Sequence, residues 1–209
     1  MFSTLYNLKP RFQALLRPLV RRLADVGVTA NQVTVAAMLV SIVLGAFVCF
    51  RADDRWPFLL LPAWLFLRMA FNAIDGMLAR EFGQRSALGA YLNELSDVVS
   101  DAALYWPFVM LAPFSAASVG LVILLAALSE MAGALGPMVG AQRRYDGPMG
   151  KSDRASVFGA LGLYVGLGGA LTEGAWWIMP VLSLLIAVNI VNRVRRGVAQ
   201  AGQQRIEPR

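Results

Sequence analysis

Histidine is absent from the 209 residues, and cysteine occurs once, at Cys49. No imidazole is therefore available as a metal ligand or general base, and any acid–base work falls to carboxylates. A lone cysteine inside an apolar run closes no intrachain disulfide and reads as packing. Charge is scarce as well. Asp, Glu, Lys and Arg make up 15% of the chain, against about a quarter in a soluble globular domain. With 57% hydrophobic residues, that scarcity points to a polytopic membrane protein. The net charge of +6 suggests a nucleic-acid partner only until its distribution is read. The basic residues border apolar runs, so anionic headgroups account for them and no nucleic acid is expected. A cleaved signal peptide is not expected either, because Lys9, Arg11 and Arg17 interrupt any apolar amino-terminal run.

What the chain does have is apolar length. Six runs reach membrane-spanning length: residues 33–50, 56–78, 87–111, 117–140, 155–171 and 175–191. The expected fold is an all-α integral membrane protein with six transmembrane helices plus an N-terminal amphipathic interfacial helix. Residues 1–27 form the juxtamembrane segment, 28–193 the six-helix domain, and 194–209 a basic cytoplasmic tail. Residues 5–23 carry an apolar stripe (Leu5, Leu8, Phe12, Leu15, Leu16, Leu19, Leu23) with basic residues elsewhere on the helix, the pattern of a helix lying in the interface. Pro18 is expected to kink or split it. Sixteen of the nineteen basic residues fall in the amino-terminal segment, the loops after the second and fourth spans, and the tail. The positive-inside rule then puts both termini and the loop after the second span in the cytoplasm.

Carboxylates and amides collect between residues 72 and 101, among apolar runs where such groups are costly and usually functional. The stretch reads N-A-I-D-G-M-L-A-R, eight residues to Gly89, then A-Y-L-N-E-L-S-D-V-V-S-D. Asn72, Asp75, Gly76 and Ala79 share one helical face; Gly89, Asn93, Asp97 and Asp101 share another. A short turn at 83–86 would make the two helices antiparallel neighbours and gather several oxygen ligands in one pocket. Arg68, within the second span, needs an anionic partner. Asp101 and Glu130 lie at comparable depth; if the partner is Asp101, that residue is structural rather than catalytic.

This spacing resembles the signature of the CDP-alcohol phosphotransferases, D-x-x-D-G-x-x-A-R, eight residues, G-x-x-x-D-x-x-x-D. Asp75, Gly76, Ala79, Arg80, Gly89 and Asp97 match it. Asn72 and Asn93 stand at the first and third aspartate positions, as in a bacterial inner-membrane branch that the chain also resembles. The resemblance implies a transferase that moves a substituted phosphate from a CDP-linked donor, with CDP-diacylglycerol favoured, to an alcohol acceptor, releasing CMP. It implies Mg²⁺ or Mn²⁺ held among Asp75, Asp97, Asn72, Asn93 and Asp101, with Asp97 as both ligand and base. It implies nucleotide contacts from Asp75, Gly76, Ala79, Arg80 and Gly89. A homodimer in the bilayer follows from the same resemblance.

Two further clusters bear on that reading. V-T-A-N-Q-V-T opens the first span, where family members resemble it with T-P-N-x-x-T. Thr29 or Asn31 can cap the helix, and Asn31 and Thr34 are equally candidates for nucleotide binding. After the fourth span, Y-D-G-P-M-G-K-S-D-R resembles a family segment near the acceptor. Lys151 and Arg154 are either phosphate contacts or ordinary positive-inside charge. Replacing two acids by Asn removes two negative charges, so the site either keeps one tightly held metal or draws on other acids. Two rivals remain. One is a non-catalytic member that binds CDP-lipid or metal, and the other is a small transporter.

Overall fold

Why the helices begin where they do is written in their first residues. The computed structural model describes residues 3–206, with side chains over 12–203. Leu5, Leu8, Lys9, Arg11, Arg205 and Arg209 of the expected amphipathic helix and tail thus lie outside the described side chains. Among the described residues there are seven α-helices and no strand. They are α1 (Ser3–Asp25), α2 (Ala30–Phe50), α3 (Leu60–Glu81), α4 (Ala87–Tyr105), α5 (Ala116–Ala134), α6 (Lys151–Gly166) and α7 (Ile178–Ile206). Thr29 caps α2 by accepting from the Gln32 N–H at 3.2 Å, and Gln32 Oε1 accepts from the Thr29 N–H at 2.9 Å. This reciprocal box satisfies two otherwise orphaned donors. Ser86 caps α4 in the same position by accepting from the Gly89 N–H at 2.9 Å.

The ends depart from the expected spans for local reasons. The third span, expected to reach 111, leaves α-helix at Tyr105, because Pro107 converts the next turn to a 3₁₀ helix (Trp106–Met110). Pro137 does the same after α5. The fifth helix begins at Lys151 rather than 155, which moves Lys151 and Arg154 from a loop into its first turn. α7 runs unbroken past residue 193. α1 is not split at Pro18; the helix continues through it, forgoing the one backbone bond the ring cannot donate.

α2 is the hub. It packs on both α3 and α4, while α5 packs on α7, α6 on α3, and α1 on α3. The α2–α4 contact is close because Gly45 faces the Ala103 carbonyl, where a Cβ would overlap the oxygen. α3 and α4 are not the directly packed neighbours that the short turn suggested. Each leans on α2, and side chains bridge the space between them. An apolar core of Phe58, Leu61, Leu104, Phe108, Phe158 and Ile186 fills one end of the bundle. A smaller cluster of Val20, Val33, Ile74, Met77 and Leu78 ties α1 to α2 and α3 at the other. Leu15 and Leu19 of α1 stay exposed.

Among the described residues four helical stretches are long and apolar enough to cross a membrane: Ala30–Phe50, Trp56–Glu81, Ala116–Ala134 and Glu173–Gln203. α4 and α6 fall outside that group, and both carry charged residues that are turned inward: Asp97 and Asp101 on α4, Lys151 and Arg154 on α6.

Candidate active site

The polar residues of α3 and α4 meet where the amino-terminal ends of α2 and α4 come together. The Thr34 hydroxyl donates to Asp75 Oδ2 at 2.8 Å, fixing a carboxylate that is buried in α3. A Cβ on Gly89 would lie 2.8 Å from Asn31 Oδ1, so the absence of a side chain there lets α4 approach α2. Gln84, between α3 and α4, accepts from the Ala30 N–H at 2.7 Å and donates to the Val28 carbonyl at 3.4 Å. The link therefore pins the start of α2 beside the motif.

Across the gap from Asp75, Asp97 is approached by two cations. Lys151 Nζ donates to Asp97 Oδ1 at 2.5 Å, and Arg68 Nη2 lies 3.3 Å from the same oxygen. Among the described residues no hydrogen bond reaches Asp97 Oδ2; both fall on Oδ1. Arg68 Nη1 donates to Asp101 Oδ1 at 2.5 Å, so the partner of Arg68 is Asp101. The other oxygen, Asp101 Oδ2, accepts from Arg154 at 3.1 Å. Both Asp101 oxygens are thus held by arginines.

The chain of ion pairs continues inward. Arg154, only 1% exposed, also donates to Glu130 Oε1 at 3.0 Å and to the Met149 carbonyl at 3.2 Å. Glu130 is approached in turn by Arg193 at 3.5 Å and Arg143 at 3.6 Å, and Arg143 pairs with Glu94. Arg193 donates to the Ser129 carbonyl at 2.5 Å. Charges this deep persist only when each has partners. The 140–150 loop is tied to α7 at its surface end, where Asp146 accepts from Arg144 and Arg196. Partial burial pushes the Asp146 carboxyl up, but those two guanidiniums outweigh it and hold it below its ordinary 3.8.

A cavity of about 160 Å³ opens between α3 and α6 and is lined by Arg68, Asn72, Lys151 and Ser152. It shares Leu65, Met69 and Ala155 with an adjoining apolar groove of about 210 Å³ that runs past Phe66, Gly159 and Leu163. A larger space of about 570 Å³ lies elsewhere, between α2, α4 and α5, with small and apolar walls such as Gly45, Cys49 and Trp106. No carboxylate lines it.

The structure thus brings together Asn31 with Gly89, Thr34 with Asp75, and Asp97 with Lys151, and it places Asn72 in the same cavity as Lys151. Asn93 lies half-buried on α4, one turn from both Gly89 and Asp97. Other expectations change. Gly76, expected to meet the nucleotide, has the Arg80 guanidinium folded back over it, 3.0 Å from where a Cβ would be. Ala79 packs in the cluster with Val20 and Met77. Arg154 is buried beneath the site, with its guanidinium spent on Asp101 and Glu130, and does not line the cavity. The sequence reading missed Gln84, Glu130 as a hub, and Arg193. Asn189 and Arg193, four residues apart in an apolar run, were the available signal for the last. Gln84 had none.

The donors at hand are carboxylate and amide oxygens, the kind that a hard divalent cation prefers. Among the described residues no three acids, histidines or cysteines converge, since two motif positions are amides.

Residues 27–189 match the family described as CDP-alcohol phosphatidyltransferase. The chain is 44% identical over 192 residues to inner membrane protein YnbA of Escherichia coli, covering 92% of this chain and 95% of that protein. It is 34% identical over 94 residues to phosphatidylinositol phosphate synthase of Mycobacterium marinum, covering 45% of this chain and 38% of that one. Among solved structures, Mycobacterium tuberculosis phosphatidylinositol phosphate synthase with CDP-DAG bound superposes with a TM-score of 0.69 at 19% identity. That match covers 86% of this chain and 92% of the other, and the likeness is one of fold.

Proposed function

The chain belongs to the CDP-alcohol phosphatidyltransferase family, and from that premise we propose that it moves a phosphatidyl group from CDP-diacylglycerol to an alcohol and releases CMP. It is a membrane-bound, metal-dependent phosphotransferase of phospholipid synthesis. The observation that carries the donor assignment is the continuity of the cavity beside Asn72 and Lys151 with the apolar groove along α3 and α6. A donor with a polar head and acyl chains needs both.

Asp75, Asp97, Asn72 and Asn93 are the residues that would hold Mg²⁺ or Mn²⁺. When bound, such an ion neutralises the diphosphate so that an alcohol oxygen can approach phosphorus. Thr34 orients Asp75. Asp97 accepts the proton of the attacking hydroxyl, and its Oδ2 is the oxygen free to do so. Arg80 and the Asn31–Gly89 junction receive the nucleotide. Asp101 and Arg154 are scaffold, and Lys151 and Arg68 are the cations that reach the cavity.

All six helices α2–α7 cross the bilayer in this reading, α4 and α6 because their charged faces are turned inward. α1 lies in the interface with Leu15 and Leu19 toward lipid. The distribution of basic residues puts the site and both termini on the cytoplasmic side of an inner membrane, and the working unit is a homodimer.

The test is CMP release by purified protein in detergent with CDP-diacylglycerol, Mg²⁺ or Mn²⁺, and a panel of alcohols, beside Asp97→Asn. Acceptor-dependent release that Asp97→Asn lowers at least 100-fold supports the proposal and names the acceptor. A second reading, lipid binding without turnover, is favoured by the two amides and by the double cation contact on Asp97. Metal-dependent protection by CDP-lipid with no CMP released from any alcohol would establish it instead.

A further inference from the structure

Resting on the transferase reading, we propose that the Lys151 ammonium is a built-in cation of the site, so that each chain takes one divalent metal ion rather than two. Lys151 is the first residue of α6. The amino end of a helix is the unfavourable end for a cation, by about 0.3–1 kcal/mol, so something else holds it there.

The preceding loop is shaped to do so. Gly147 has φ +103 and presses on the backbone of Asn189, where a Cβ would sit 2.9 Å from its Cα. Met149 has φ 58, and its carbonyl is held by buried Arg154 at 3.2 Å. The Gly150 N–H donates to Asp153 Oδ2 at 3.0 Å and starts the helix. The result is Lys151 Nζ at 2.5 Å from Asp97 Oδ1, in the cavity that Asn72 also lines. A lysine suits this place because its ammonium is a compact point charge on a flexible stem.

Charge and position together set the metal count. Asp97 and Asp101 pair with Arg68, Lys151 and Arg154, and Asp75, held by the Thr34 hydroxyl, adds a third carboxylate, so these six groups sum to zero before any ion enters. One divalent cation leaves it at an excess of two positive charges, which a diphosphate can balance. A second would double that excess at the edge of a low-dielectric region, where like charges repel far more than in water. Aspartates at 72 and 93 would supply the two missing charges. Asparagines there match a site in which Lys151 has taken one cation's place.

The measurement is Mn²⁺ bound per chain, by paramagnetic resonance titration of purified full-length protein in detergent, with CMP release followed separately. The expected result is one ion for the unaltered chain. Asn72→Asp with Asn93→Asp supplies the charge for a second ion, but Lys151 still occupies Asp97 Oδ1, so the double variant should bind one tightly; adding Lys151→Gln frees that oxygen and should raise the count to two. Two ions on the unaltered chain would overturn the inference. So would two on the double variant with Lys151 in place, or one on a triple variant that elutes like the unaltered protein. No bound Mn²⁺ and no CMP release would instead remove the transferase reading beneath it.

Discussion

Glu130 is where the buried charges converge, and Glu130→Gln is the substitution that tests whether they hold the bundle together. The change keeps size and shape and removes one unit of charge. Glu130 is 6% exposed, and Arg154 at 3.0 Å, Arg193 at 3.5 Å and Arg143 at 3.6 Å surround it. Arg154 keeps Asp101 and Arg143 keeps Glu94, but Arg193, itself 2% exposed, loses its carboxylate. Removing one partner of a buried pair costs about 3–5 kcal/mol. At about 2–4 °C per kcal/mol for a chain of this size, the apparent melting temperature should fall by about 6–20 °C. The assay is retention of the monodisperse peak in size-exclusion chromatography after heating in detergent. Glu94→Gln is the control, since Glu94 is 30% exposed and, among the described residues, pairs only with Arg143. A rim pair of that kind is worth up to about 1 kcal/mol. Adding Arg193→Gln to Glu130→Gln should restore part of the loss, because contacting pairs couple by about 0.5–3 kcal/mol. If Glu130→Gln melts no lower than Glu94→Gln, the account of the network as a structural keystone is wrong.

Two further outcomes follow from single contacts. Thr34→Val removes the hydroxyl that donates to Asp75 while keeping its volume. Loss of an outer-shell partner costs about 10–100-fold in metal affinity, so the Mn²⁺ dissociation constant should rise by that factor with the elution profile unchanged; an unaltered constant would dismiss the orienting role. Gly45→Ala drives a methyl into the Ala103 carbonyl and should destabilise by about 1–3 kcal/mol or more, whereas Gly120→Ala, which meets nothing within 4 Å, should be tolerated; equal melting of the two would refute the close α2–α4 packing.

What was legible in the sequence is what local pattern encodes. Apolar length marked all the long helices, and the shared faces of 72–79 and 89–101 marked the site, because helical periodicity is a property of neighbours in the chain. Thr29 and Asn31 both read as caps for α2, and geometry chose Thr29. What was hidden depended on three-dimensional partners. Arg68 advertised that it needed an acid, but only geometry chose Asp101 over Glu130. Arg154 looked like a surface cation by sequence position and became a buried strut once α6 began four residues early. The short turn after α3 suggested that α3 and α4 pack together. They do not, because Gly45 gives α2 the closer approach to α4. Gln84 sits in a turn whose composition says nothing about the helix start 54 residues earlier that it holds.

The ion-pair chain also has a direction in time. Arg68 is made before Asp97 and Asp101, and Glu130 before Arg143, Arg154 and Arg193. A ribosome therefore delivers each buried charge to the membrane ahead of the residue that neutralises it. Domains of a growing chain organise from the amino end, yet the acid at the centre of this one is not fully matched until the last helix arrives. Until then Glu130 relies on Arg154 and Arg143 alone. A chain cut short before α7 therefore keeps Arg154 and Arg143 on Glu130 but lacks Arg193, the cation that also holds the Ser129 carbonyl.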